Sequence, residues 1–407
     1  MGPLEGLKVV ELSTHIAVPV AARIMADWGA RVIKIENPSG DPWRQNGKNY
    51  AIPTTDEENV LFALPNSNKE FISINLKDEK GRAILCKLLE DADIFLTNVR
   101  YRSLKKLGLD HQTIMERFPK LIYYHFDGYG EKGPMKDYPG FDLAAFWAQT
   151  GMLNDWVIEG QLPMIPASAF GDMTCATMVA LGAVSAYLSA LKTGRGRYVT
   201  SSLYGTAIWY NYVDILLAQP QYHKYANRPV KKGHVLNPFC SIWLCADGKY
   251  IFTGGIDFNE SYEKSMKAMG LTDIMDDPKY RSPYSIEDGR HVLYPIFEKV
   301  FLTRPADEWT RLFTEADVVC QTIKGAGNVT MSEQAWANGY LTEIDYGFNG
   351  YKTAIPTTPV RFEGMEIGKT ENAGGIGKDS IKILREQGLS DEQIKYLADQ
   401  GIIRAIF

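Results

Sequence analysis

The sequence has no CxxC pair, no block of basic residues and no unbroken apolar stretch of the roughly 18 residues a membrane span requires. Its five cysteines, Cys86, Cys175, Cys240, Cys245 and Cys320, are scattered and odd in number. That argues against both a disulfide framework and a zinc knuckle, so no metal site is expected, and it fits a reducing cytoplasm. Basic residues come only in ordinary pairs such as Arg195/Arg197 and Lys231-Lys232, in a chain of net charge −5. A nucleic acid is therefore not expected as a partner, and any anionic ligand must be held locally. No positively charged start leads into an apolar run before Leu7, so neither a targeting segment nor a membrane partner is expected. The nucleotide fingerprints are missing too. The first strand-to-helix turn reads Ser13-Thr14-His15-Ile16-Ala17-Val18-Pro19 where GxGxxG would stand. The nearest approach to a P-loop, Gly374-Gly375-Ile376-Gly377-Lys378-Asp379, has Asp where Ser or Thr must hold magnesium.

What is present is a chain of 407 residues, 45% hydrophobic and 23% charged, which describes a globular protein too long for one core. Short apolar runs at 7–12, 31–36, 71–76, 93–98, 121–126 and 198–202 read as strands, with helix-patterned segments at 20–28 and 77–89 between them. This alternation predicts an α/β fold: an open Rossmann-like parallel sheet with right-handed crossovers and ligands outside the carboxyl ends of its strands. We expect a large domain over 1–221 and a smaller α+β domain over 222–325 with its own hairpin (241–244 and 249–253). Residues 326–407 return to the large domain through a strand at 360–363 and an amphipathic helix at 379–387. Lys77, Asn98, Arg100, Lys105 and Lys106 follow the strand ends. Singly each is a solvated side chain; collected on one sheet edge they form a phosphate-binding surface.

One stretch stands out, Ala167-Ser168-Ala169-Phe170-Gly171-Asp172-Met173. It sets a single carboxylate among small and apolar residues just ahead of a helical segment over 174–188. Asp172 reads either as the N-cap of a helix opening at Met173 or as a covalent nucleophile at a helix N-terminus, and the two are compatible.

With these residues in view, the chain resembles the family III CoA-transferases, the group containing formyl-CoA and carnitine CoA-transferases. The landmarks are Gly29-Ala30-Arg31-Val32-Ile33-Lys34-Ile35-Glu36, Gly40-Asp41, Asn68-Lys69, Asp93 with Asn98, Gly128-Tyr129-Gly130, Gly171-Asp172 and Thr193-Gly194-Arg195-Gly196. The resemblance implies an interlocked homodimer, an acyl-CoA and a free carboxylic acid as substrates, and no permanently bound cofactor. Coenzyme A then arrives as a thioester. Gly128 to Pro134, Pro139-Gly140-Phe141-Asp142 and Gln334-Ala335-Trp336-Ala337-Asn338 are similar to transferases of amino-acid-fermenting anaerobes that act on 2-hydroxy acids such as 2-hydroxyisocaproate and aryllactate.

Carried over by position, Asp172 matches the catalytic aspartate, which attacks the thioester and passes through mixed anhydrides and an aspartyl-CoA thioester. Thr14, His15, Ile16, Ala17 and Val18 match the loop lining the CoA site. Asn37 stands where formyl-CoA transferase has an arginine. Ile74, Lys77, Asn98, Val99, Arg100 and Lys106, with Asp142, match segments that hold CoA. Gly254 and Gly255 match a glycine flap beside substrate, two glycines where one relative has four, and otherwise read as a plain turn.

Three other functions compete. The α-methylacyl-CoA racemases share the fold and use a His before the Asp as a base, but that position here is Phe141, which takes no proton. His15 and His125 read as surface or satisfied histidines, with His15 able to reach substrate. A transferase of formyl/oxalate or carnitine specificity is a second alternative. Trp147, Trp156, Trp209, Tyr210 and Phe239 suit a larger apolar acid, or else belong to the core. A CoA-binding scaffold without chemistry predicts loss of the aspartate, which is present.

Overall fold

Strand β1 (Lys8–Leu12) lies inside the main sheet, paired on both edges, and its Val9, Val10 and Leu12 are buried because helices cover the sheet's faces. The computed structural model describes residues 2–56, 58–222, 237–281, 286–345, 352–365 and 371–407; the Lys231-Lys232 pair lies outside them. After β1 come α1 (Ala17–Asp27), β2 (Arg31–Glu36), α2 (Val60–Asn66), β3 (Glu70–Ile74) and α3 (Glu79–Leu89). Next are β4 (Ile94–Thr97), α4 (Tyr101–Leu107), α5 (His111–Arg117), β5 (Ile122–Asp127), α6 (Met152–Asp155), the long α7 (Phe170–Thr193), β6 (Tyr198–Ser202) and α8 (Leu203–Tyr210).

The described chain divides into two compact units. The first comprises Met1–Gly151, Ile165–Tyr212 and Ser332–Phe407; the second comprises Met152–Met164 and Val213–Met331. The second unit is thus discontinuous, taking in 152–164 and beginning at Val213 rather than at residue 222.

In the first unit seven strands run in the order β12-β3-β2-β1-β4-β5-β6. All pair in parallel except β12 (Ile403–Arg404), which is antiparallel to β3. Strand order reverses beside β1, where Leu12 lies opposite Thr97 of β4, and a doubly wound sheet opens its ligand crevice at such a reversal. A core of Val10, Ile33, Ile72, Phe95 and Tyr123 packs with Leu85, Leu88 and Leu89 of α3 and with Ile383 and Leu384 of the helix Ser380–Glu386. Helix α7 packs along α1, with Cys175, Ala176, Val179, Ala180 and Ala183 buried. By length and composition alone its 24 residues could cross a membrane.

Charge is buried under the same sheet. Glu11 of β1 lies 2.9 Å from Lys34 Nζ and 2.7 Å from Lys69 Nζ. Burial alone would raise its carboxyl pKa, but the two cations outweigh it and hold the group at about 2. Lys34 also reaches Asp41 Oδ2 at 3.1 Å, which ties this network to the loop after β2.

Strands β10 (Leu341–Asp345) and β11 (Lys352–Pro356) form a separate antiparallel pair. The strand expected at 360–363 is not formed. Pro359 and the positive-φ Gly364 bracket that run, and Arg361 turns back to Thr357 Oγ1 at 2.9 Å. In the second unit β7 (Cys240–Leu244), β8 (Tyr250–Gly254) and β9 (Cys320–Thr322) make an antiparallel sheet over a core of Trp243, Phe297, Phe301, Trp309 and Phe313.

Candidate active site

The crevice at the strand reversal is closed by a reciprocal pair of hydrogen bonds. The Thr14 amide donates to Asn98 Oδ1 at 3.0 Å, and Asn98 Nδ2 donates to the Thr14 carbonyl at 2.8 Å. One side chain thereby fixes the ends of β1 and β4 against each other. His15 follows at φ 65°, a conformation that L-residues seldom adopt and that surrounding contacts must enforce. Its amide donates to Asp41 Oδ1 at 3.2 Å, and its ring Nδ1 lies 3.0 Å from Thr14 Oγ1. Helix α1 then starts at Ala17, with Ile16 at the N-cap position and no side-chain cap. Its start precedes the expected residue 20 because Pro19 is tolerated in a first turn.

Asp172 comes from the other side. Helix α7 begins at Phe170, with Ala169 at the N-cap position at φ 66° and no side-chain cap. Asp172 is therefore the third residue inside the helix, and the expectation that it caps a helix opening at Met173 is overturned. The cap comes from a distant residue: the Gly171 amide donates to Asp142 Oδ2 at 3.1 Å. Asp142 opens a π-helical turn (Asp142–Ala148) and is only 6% exposed. Among the described residues the Asp172 carboxylate makes no hydrogen bond. Burial, and after it the Asp142 charge, push its pKa from the usual 3.8 up to about 7.

These pieces meet in one cavity of about 750 Å³, a size suited to a small-molecule ligand. Thr14, His15, Ile16, Ala17, Asn98, Val99, Arg100 and Asp172 all line it. Asn37, Ile74 and Lys77 line a neighbouring cavity of about 250 Å³ that shares Thr14 and Val99. The other expected site residues lie elsewhere. Val18 is fully buried in α1, Lys106 is exposed on α4, and Asp142 sits behind Phe141 facing Gly171. Gly254 and Gly255 belong to the second unit, where the Gly255 amide donates to the Phe239 carbonyl at 2.9 Å.

The lining also includes residues that strand-end reasoning passed over, among them Tyr101, His111, Asp127, Glu131, Lys136 and Tyr138. The turn cluster at 128–134 was the signal that could have pointed to several of them. His125 is 2% exposed and held at both ring nitrogens, 3.0 Å from the Val99 carbonyl and 3.4 Å from Glu131, so it is a satisfied histidine. Phe141 lines the cavity, 63% exposed, with its ring edge-on to His15 at 5.7 Å. Of the aromatics expected around an acid pocket, Trp147 is buried against Phe146 and Phe170, Trp209 and Tyr210 are exposed on α8, and Trp156 and Phe239 belong to the second unit. The aromatic lining comes instead from Tyr101, Phe126, Tyr138 and Phe141.

Comparison with known proteins places the chain in a family. The model of CoA-transferase family III matches residues 4–380. The chain is 37% identical to the (R)-2-hydroxy-4-methylpentanoate CoA-transferase of Clostridioides difficile, an alignment that covers 98% of this chain and 99% of that one. It is 36% identical to the cinnamoyl-CoA:phenyllactate CoA-transferase of Clostridium sporogenes, over 96% of this chain and 95% of that one. Among solved structures, a CAIB/BAIF family protein from Brucella suis shares the fold with a TM-score of 0.78 at 22% identity, over 95% of this chain and 99% of that one.

Proposed function

This chain belongs to CoA-transferase family III and is an enzyme, and we propose that it moves CoA from an acyl-CoA to a free 2-hydroxy acid through Asp172. The observation that carries the reading is the placement of the Asp172 carboxylate, unpartnered, on the lining of a cavity at the strand reversal. Both relatives reported above act, by their names, on bulky branched or aryl 2-hydroxy acids. The exposed Phe141 ring beside His15 supplies an apolar wall for an acid of that kind.

The chemistry is acyl exchange throughout. The Asp172 carboxylate attacks the thioester carbonyl, and the C–S bond breaks to give a mixed anhydride and CoA thiolate. The thiolate attacks the Asp172 carbonyl of that anhydride, releasing the donor acid and leaving an aspartyl-CoA thioester. An acceptor carboxylate then attacks this thioester, and the released thiolate takes the acceptor's acyl group from the second anhydride, which restores Asp172. Each nucleophile attacks as an anion, Asp172 once its raised carboxyl has lost its proton, so no general base is required in the transfer steps and no electrons are exchanged. The protein's task is to stabilise the oxyanions and to keep water from the anhydrides. The backbone amides that open α1, which no side chain caps, lie on the cavity wall at Ile16 and Ala17 and suit the first role.

The proposal extends to assembly. Leu181, Leu188 and Leu191 of α7 and Trp209 and Tyr210 of α8 are all at least half exposed. An interlocked second copy of the chain covers such a surface. Every cysteine is free, which supports a cytoplasmic setting.

The test is mass spectrometry of the protein incubated with an acyl-CoA and quenched with hydroxylamine or borohydride, followed by peptide mapping. Modification of the peptide holding Asp172 is expected, and a panel of 2-hydroxy acids then identifies the acceptor. An unmodified peptide together with α-proton exchange into deuterated water would replace the transferase reading with an isomerase.

A further inference from the structure

Asp142 lines neither of the two cavities described above, yet it meets the helix that carries Asp172. Its Oδ2 accepts the Gly171 amide, and its Oδ1 is buried without a hydrogen bond of ordinary geometry. The contact is tight: a Cβ on residue 171 would collide with Asp142 Oδ1 and with the Phe146 ring. Helix α7 has no cap of its own, since Ala169 offers no acceptor. Asp142 itself opens a π-helical turn, a rare element that tends to mark functional positions.

We propose that Asp142 is a positioning residue for the transfer reaction: its carboxylate, docked on the start of α7, fixes the turn that bears Asp172 and leaves the Asp172 carboxylate free of helix amides. The inference rests on Asp172 being the nucleophile. A carboxylate that capped its own helix would be stabilised by the amides and the helix dipole, and it would be a poorer nucleophile for that reason. Here Asp142 takes the amide, and Asp172 stays solvent-poor and basic.

Asp142 on the π-helical turn and Cys175 on α7 are the titratable groups that interact with Asp172, and the cavity it lines also carries His15, Arg100, Tyr101, Arg102, His111, His125, Asp127, Glu131, Lys136, Asp137 and Tyr138. Burial, more than its neighbours, pushes the Cys175 thiol up to about 12, so it stays neutral. Of these groups Asp142 is the one whose charge acts on the Asp172 carboxyl, in the direction that raises its pKa.

The experiment measures the pH dependence of Asp172 adduct formation and of steady-state turnover in the wild type, Asp142→Asn and Asp142→Ala. Asn keeps an acceptor for the Gly171 amide but removes the charge. Its acidic limb should therefore move down by about one pH unit, the direction expected when a neighbouring like charge is removed. Ala removes both, and kcat should fall by roughly a hundredfold with KM for the acyl-CoA little changed, as for a misplaced reacting group. An unshifted acidic limb in Asp142→Asn, with losses that only track the folded fraction, would leave Asp142 a structural cap and overturn the proposal. A raised KM at unchanged kcat would make it a CoA contact and overturn it likewise. Absence of any adduct in the wild type would instead remove the nucleophile reading on which the inference stands.

Discussion

Replacing Asp172 by Asn should abolish turnover and stabilise the fold above neutral pH. The folded protein raises the Asp172 carboxyl from 3.8 to about 7, through burial first and the Asp142 charge second. Each pH unit of difference corresponds to roughly 1.4 kcal/mol, so ionised Asp172 costs the fold at most about 4 kcal/mol at pH 8. Asp172 is partly exposed, and solvent screening brings the expected figure nearer to about 2 kcal/mol. The sign follows from linkage. A raised carboxyl pKa favours the folded state fully below pH 3.8, progressively less up to about 7, and not at all beyond. Asn carries no such dependence. The gain of Asp172→Asn over the wild type should thus be near zero around pH 4, grow through the window and level off above pH 7. Thermal unfolding at several pH values reads this as a rise in Tm at pH 8 of about 4 °C, at roughly 2 °C per kcal/mol. An equal Tm for the two proteins at pH 8, or a gain that does not change with pH, would refute the account of a desolvated carboxylate beside Asp142.

Other substitutions probe the frame around it. Asn98→Ala removes both bonds to Thr14 and leaves that amide without its acceptor, a loss of about 1–3 kcal/mol; KM for the acyl-CoA should rise about tenfold or more in steady-state assays. Gly171→Ala forces a methyl into Asp142 and Phe146; overpacking of that kind costs about 1–3 kcal/mol, read as a lower denaturation midpoint together with reduced kcat. Glu11→Gln leaves Lys34 and Lys69 buried without their shared carboxylate; a broken buried pair costs about 3–5 kcal/mol, and urea unfolding should show a loss of that size in the first unit.

Much of the sheet was legible because β1 to β5 are short, apolar and buried, and period and composition alone mark such runs. Their ends were less so. α1 starts before Pro19 rather than after it, since a proline in the first turn costs the helix no hydrogen bond. Around the site, Asn98 and Arg100 stand out because strand ends in this topology point into one crevice, whereas Thr14 to Ala17 and Val99 come only from the family resemblance; all of them line the cavity. Asp172 lies on the cavity wall, but inside the helix rather than at its cap. The cap of α7 is supplied by Asp142, 29 positions earlier, and no local pattern signals a partner at that distance. His125 reads as a surface or satisfied histidine, and the fold makes it the second, but its partners Val99 and Glu131 could not be named because only the fold brings them to its ring.

Strand β3, which is covered on its outer side by β12, has a consequence for the order in which the molecule can be made. The Phe71 amide bonds to Asp379 Oδ2, 308 positions further on, and β12 pairs with Ile74 and Ser73 only at Ile403 and Arg404. At roughly 5–20 residues per second a ribosome needs on the order of 15–60 s to travel that distance. Throughout that interval an apolar sheet edge is synthesised but unpaired, and the whole of the second unit emerges before its partner does. The first unit is thus complete only once residues 379–404 have been made, so its outer sheet is open to association during synthesis in a way that equilibrium stability does not report.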